Sequence, residues 1–74
     1  MVNITNQDRI YIAHNILKFR KAKGLTQEQL AFDAGTANKC ISDVELGKRN
    51  VKIDTISRVA KALGVKLSDL TKIN

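Results

Sequence analysis

Four polar side chains, Asn38, Lys39, Ser42 and Asp43, fall on one arc of a 3.6-residue period. Their chemistry suits recognition rather than bond making. Asn38 carries a donor and an acceptor on one amide, the pattern that matches adenine N6 and N7. Lys39 can donate to guanine N7 and O6, with less geometric discrimination than an arginine. Asp43 repels phosphates; it can accept from cytosine N4 or pair with Lys39 one turn earlier, and it weakens nonspecific binding. No nucleophile–base pair, phosphate-cradling glycine loop or pair of acidic groups suited to a pocket is present, so no enzymatic reaction is expected. Cys40 and His14 are the sole residues of their types, which excludes an internal disulfide framework and any multi-Cys or His-based metal cluster within one chain. No cofactor or small-molecule ligand is expected.

Side chains used in this way need a helix with an apolar back and a scaffold that holds it outward. The apolar arc is Ala37, Ile41 and Val44, with Cys40 at its edge. The stretch TQEQLAFDAGTANKCISDVELG, residues 26–47, therefore reads as a short helix, a tight turn and a second short helix. Thr26 is a good N-cap, and Glu28 in the first turn suits the positive helix end. Leu30 and Ala31 face inward, and Gly35 supplies a turn where positive φ is inexpensive. Ahead of this unit a long helix is expected from Thr5, with Thr5 and Asp8 at capping-box spacing, to about Lys23, with Gly24 ending it. Its inward stripe is Ile12, Ala13, Ile16 and Phe19, with Leu17 beside it. Lys18, Arg20, Lys21 and Lys23 in its last turns suit the negative helix end and form a basic patch. After Gly47, a fourth helix from about Ile53 to Leu63 buries Ile53, Ile56, Val59, Ala60 and Leu63. Gly64 stops it, and a fifth short helix spans Leu67 to Thr71.

The composition agrees with an all-α fold. There is no Pro, there are four Gly, and aromatics are 4% of the 74 residues, so the core must be aliphatic. One domain over 1–74 is expected, with 1–5 frayed; it is small enough to bury only roughly 60% of its unfolded surface. Thirteen Lys and Arg against seven Asp and Glu give a net charge of +6, and its placement points to a polyanion. Gln27, Lys48, Arg49 and Asn50 flank the polar arc at a helix start and in a loop, where phosphate contacts are made; Lys23 and Lys52 extend the same set. Cys40 reads as a small hydrophobe rather than a redox sensor, since no resolving Cys exists. Tyr11 and His14 lie on the first helix without a partner that suggests chemistry. Leu63, Val65, Leu67, Leu70 and Ile73 exceed what a short terminal helix needs, and Val65, Leu67, Leu70 and Ile73 are expected in a two-fold homodimer interface. No apolar leader or membrane-length run is seen, and a reducing cytoplasm is expected.

The runs GLTQEQLAFDAG, ISDVELGKRN and DTISRVAKALGVKLSDL closely resemble the Cro/cI-like (Xre-type) helix-turn-helix repressors, in order and spacing, from about Ile12 to Leu70. The chain looks most like the short single-domain members, such as controller proteins of restriction–modification systems and small phage or plasmid repressors. The resemblance implies a five-helix, lambda-repressor-like domain that binds a double-stranded DNA operator as a dimer, its third helix in the major groove. It implies a bacterial or phage-encoded, nucleoid-associated transcription regulator acting as repressor or autoregulator. By the same resemblance, Gln27 braces a phosphate and supports Asn38, while Asn38, Lys39 and Asp43, with Ser42 among them, read bases. Arg20 and Glu45 match a pair that ties the first helix to the third. The chain departs from the family at Ala37, where a Ser cap is usual, and at Leu17, Leu46, Val51 and Lys52. A second reading, from another class, is an antitoxin-type protein-interaction module with secondary DNA binding.

Overall fold

Aliphatic side chains from five segments converge on one core, formed by Ile12, Ile16, Leu30, Ile41, Val44, Ile56, Val59, Leu63 and Leu70 with the smaller Ala31, Ala34, Cys40 and Ala60. The computed structural model describes residues 6–48 and 52–71. Among these the regular elements are five helices: α1 (Asn6–Ala22), α2 (Gln27–Ala34), α3 (Asn38–Glu45), α4 (Ile53–Leu63) and α5 (Leu67–Thr71). The last two match the expected bounds, and α1 stops one residue earlier than anticipated. The cap expected at Thr5 lies outside the described residues. No helix among the described residues is long and apolar enough to cross a membrane.

α2 packs on α3 and α4, while α1 packs on α5 and α3, so α3 is held from behind by two helices. The local signals explain why α2 and α3 are separate. Thr26 caps α2 with its hydroxyl accepting from the Gln29 backbone N–H at 3.0 Å, and the Gln29 side chain accepts from the Thr26 N–H at 2.8 Å. That reciprocal capping box satisfies two donors that the first helical turn cannot. At the other end Gly35 adopts φ 69°, and the N–H groups of Gly35 and Thr36 donate to Phe32 and Ala31 carbonyls. This is the paired-bond closure that a left-handed residue permits, and it turns the chain toward α3. The same pair of bonds ends α1, α3 and α4.

α3 begins without side-chain help, because Ala37 at its N-cap offers no oxygen. An Ala37→Ser variant is therefore expected to raise stability by about 0.5–1 kcal/mol in urea denaturation. One core expectation is corrected. Ile53 is 40% exposed, because it opens α4 one turn ahead of Ile56 and the apolar stripe there runs past the core.

Candidate nucleic-acid interface

The two faces of α3 differ as its sequence demands. Cys40, Ile41 and Val44 are buried, whereas Asn38 and Lys39 are exposed and Ser42 and Asp43 are half-buried. The four polar residues thus share the outward arc of one two-turn helix. Lys39 Nζ lies 3.8 Å from Asp43 Oδ2, with the lysine side chain 83% exposed and the aspartate 18% exposed. Cys40 is a buried free thiol on the core side, as its place at the apolar edge requires.

A compact polar knot fastens this helix to α1 and to the start of α2. Glu45, in the last turn of α3 and with its side chain 4% exposed, accepts from Arg20 Nε at 2.6 Å and from Arg20 Nη2 at 3.0 Å. Gln27 Nε2 donates to the same carboxylate at 2.9 Å, and Arg20 Nη1 donates to the Leu25 carbonyl at 2.8 Å. A planar guanidinium meeting a carboxylate through two bonds fixes orientation as well as distance. The hydrogen bond from Arg20 to Glu45 holds the guanidinium pKa above its already high ordinary value, against a smaller opposing effect of burial. Arg20 therefore stays charged. Gln27, expected as a phosphate brace, spends one amide donor inside the molecule and so ties the α2 N-terminus to α3.

The remaining basic positions separate. Lys48 follows α3 and is exposed. Arg49 and Asn50 lie outside the described residues. Lys52 is exposed at the N-cap of α4. Lys23 reaches Gly64, its Nζ 3.6 Å from the point where a Cβ there would stand. At that place it meets the C-terminal end of α4, where a cation is favoured by the helix dipole.

The structure corrects part of the expected dimer surface. Leu70 is wholly buried in this chain's own core and offers nothing to a second copy. Val65 and Leu67 are half-buried and packed against the same core. Val65 occupies the position after Gly64 where an apolar residue commonly closes the helix end. Ile73 lies outside the described residues.

Two features were not anticipated from the sequence. Asn15 is wholly buried, its Nδ2 donating to the Leu70 carbonyl at 2.7 Å, so that α5 is fastened to α1. Its position three residues after Ile12 and one before Ile16 was the available signal. Phe32 on α2 is 86% exposed; two residues from both Leu30 and Ala34, it falls on the side of the helix away from them, and that spacing was the available signal.

Comparison with known proteins agrees with this geometry. A helix-turn-helix family model, HTH_3, matches residues 16–70. The chain is 40% identical over 68 residues to control protein C.BamHI of Bacillus amyloliquefaciens, covering 90% of this chain and 84% of that protein. It is 37% identical over 59 residues to control protein C.SmaI of Serratia marcescens, covering 80% and 70%. Among solved structures, it is similar to the restriction-modification controller protein C.AhdI from Aeromonas hydrophila, with a TM-score of 0.81 and 36% identity over 85% of this chain and 96% of that one. With two-faced α3 held outward by α1 and α2, and with these likenesses over most of its length, the chain belongs to the HTH_3 helix-turn-helix family of transcriptional regulators.

Proposed function

We propose that this protein binds a pseudo-palindromic DNA operator as a homodimer, with α3 in the major groove, and regulates transcription from the promoter it occupies. The carrying observation is the division of α3 into a buried apolar face and an outward arc of Asn38, Lys39, Ser42 and Asp43. A major groove about 12 Å wide admits one helix, and its base edges are read by short polar side chains. Asn38, Lys39, Ser42 and Asp43 take that part. Lys48, with Arg49 and Asn50 next to it in the sequence, supplies phosphate contacts that set affinity and its salt dependence. Gln27 acts from the α2 N-terminus while its other function is structural. Similarity to controller proteins favours a role beside a restriction–modification system, in the bacterial cytoplasm.

The dimer follows from the need to span two half-sites about 34 Å apart. The described residues extend 28 × 22 × 20 Å, so two copies side by side match that scale. Val65 and Leu67 remain the candidates for the contact. Sedimentation should show a dimer at micromolar concentration on operator DNA; a monomer both with and without DNA would remove the two-fold model.

Selection of bound duplexes from a random pool at about 150 mM salt tests the main reading. An inverted repeat is expected, with half-site centres one helical turn apart. Recovery of no motif, with binding that fades as salt rises, would overturn sequence-specific recognition.

A further inference from the structure

Scattered single apolar side chains on a surface need no explanation, but three of the large ones exposed among the described residues gather at two places whose chemistry is complementary. On α2, Phe32 is 86% exposed, with the exposed Glu28 one turn before it and the exposed Asp33 beside it. Among the described residues neither carboxylate is in an ion pair. Arg58 and Lys61 of α4 share a hollow with Phe32 and Asp33, which leaves Glu28 as the acidic flank of the ring. The second place is an open groove of about 320 Å³ between α1 and the end of α3, its apolar lining made by Ile10, Ala13, Leu17 and Leu46. Ile10 and Leu46 are 64% and 63% exposed. The α1 face that carries Ile10, His14 and Leu17 continues to the exposed Lys21, and the exposed Lys48 stands just past Gly47. The acid in the groove wall, Glu45, is already held by Arg20, so the rim is basic.

We propose that this groove receives Phe32 of a second copy, so that α2 of one molecule packs antiparallel on α1 of the next. The contact is separate from the two-fold contact at Val65 and Leu67 and from the outward arc of α3, and it depends on neither. Charge selects the pairing. Two grooves face to face would oppose base to base, and two Phe32 patches would oppose acid to acid; only patch against groove joins unlike charges. Spacing selects the direction. On α2 the acid precedes the ring by one turn, and on α1 the base follows Leu17 by one turn. Antiparallel packing therefore sets Phe32 over Leu17 and Leu46 while Glu28 meets Lys21. Parallel packing would carry Glu28 back toward Ala13. An aromatic anchor in an apolar seat, with charge at its rim, is how small interfaces are built. Because patch and groove lie on different elements, each copy offers its ring to one neighbour and its groove to another, and the assembly runs head to tail. One ring and one ion pair bury less than the roughly 1,200 Å² of a stable complex, so the association is weak and concentration-dependent.

The test is sedimentation of the whole chain without DNA at about 50 mM salt, from about 10 µM to about 1 mM protein. The mean mass should keep growing past the dimer at the upper end of that range, and the growth should recede in about 0.5 M salt. Phe32→Ser and Leu46→Asp should each raise the concentration needed for this growth about 10-fold or more. Glu28→Lys and Lys21→Glu should each raise it about 5-fold, and the two changes together should return it to within about 2-fold of wild type. All four side chains are exposed, so the variants should keep their helical circular dichroism. Growth that stops at the dimer, growth unchanged in Phe32→Ser, or a double variant no better than either single one would overturn the contact. So would a loss of stability in Leu46→Asp as large as that of a core substitution, because the groove would then be covered by its own chain. None of these outcomes bears on operator recognition, which the duplex selection tests by itself.

Discussion

Glu45→Ala is expected to destabilise the protein by about 3 kcal/mol in chemical denaturation, with an unchanged denaturant slope. Glu45 accepts three hydrogen bonds from two other helical neighbourhoods, and its removal strands the Arg20 guanidinium against Leu25 with no counter-charge. A broken buried pair costs about 3–5 kcal/mol, and the lower end applies because Arg20 reaches solvent at one edge. For 74 residues the whole stability is about 4–11 kcal/mol, so the loss is a large share of it. Replacing both partners, as Arg20→Met with Glu45→Leu, should recover most of the loss, because no charge is then left buried. A near-zero effect of Glu45→Ala would show that the knot does not secure α3. The affected element is the one that carries Asn38 and Lys39, so DNA affinity should fall beyond what the unfolded fraction explains.

The second large effect is expected at Asn15. Asn15→Ala leaves the Leu70 carbonyl without its partner inside the core and opens a space where the amide stood. An unsatisfied buried acceptor and a small cavity together cost about 2–3 kcal/mol. The loss should be local before it is global. In amide hydrogen exchange, α5 should open ahead of α2 and α3, because this bond joins α5 to α1 across 55 residues of sequence. Protection of α5 equal to that of the other helices would contradict that role. If the dimer contact uses Val65 and Leu67, self-association should weaken in parallel.

Much of this arrangement was legible in the residues themselves. Helix ends were readable because each depends on a few neighbours: Thr26 as the cap ahead of α2, and glycine after α2, α3 and α4. The two faces of α3 followed from a period of 3.6 residues, which puts Ile41 and Val44 on one side with Cys40 at its edge; Ala37, expected on the same arc, is the N-cap and is exposed. The Arg20–Glu45 pairing was visible only through resemblance to known repressors, since 25 residues of sequence separate the partners.

Tertiary structure decided the rest. Periodicity identifies an apolar residue but not whether a neighbouring helix reaches far enough to cover it. Leu70 was therefore expected at a partner surface and is wholly buried, while Ile53 was expected inside and is 40% exposed. The same holds for polar groups. Asn15 is acceptable in the core because Leu70, folded back from the far end of the chain, presents a carbonyl at 2.7 Å. Gln27 is drawn into the Glu45 knot for the same reason. Local sequence thus sets which elements form and which way their faces divide. Long-range packing alone sets which side chains on those faces find a partner, because burial and hydrogen bonding belong to pairs of elements rather than to either one.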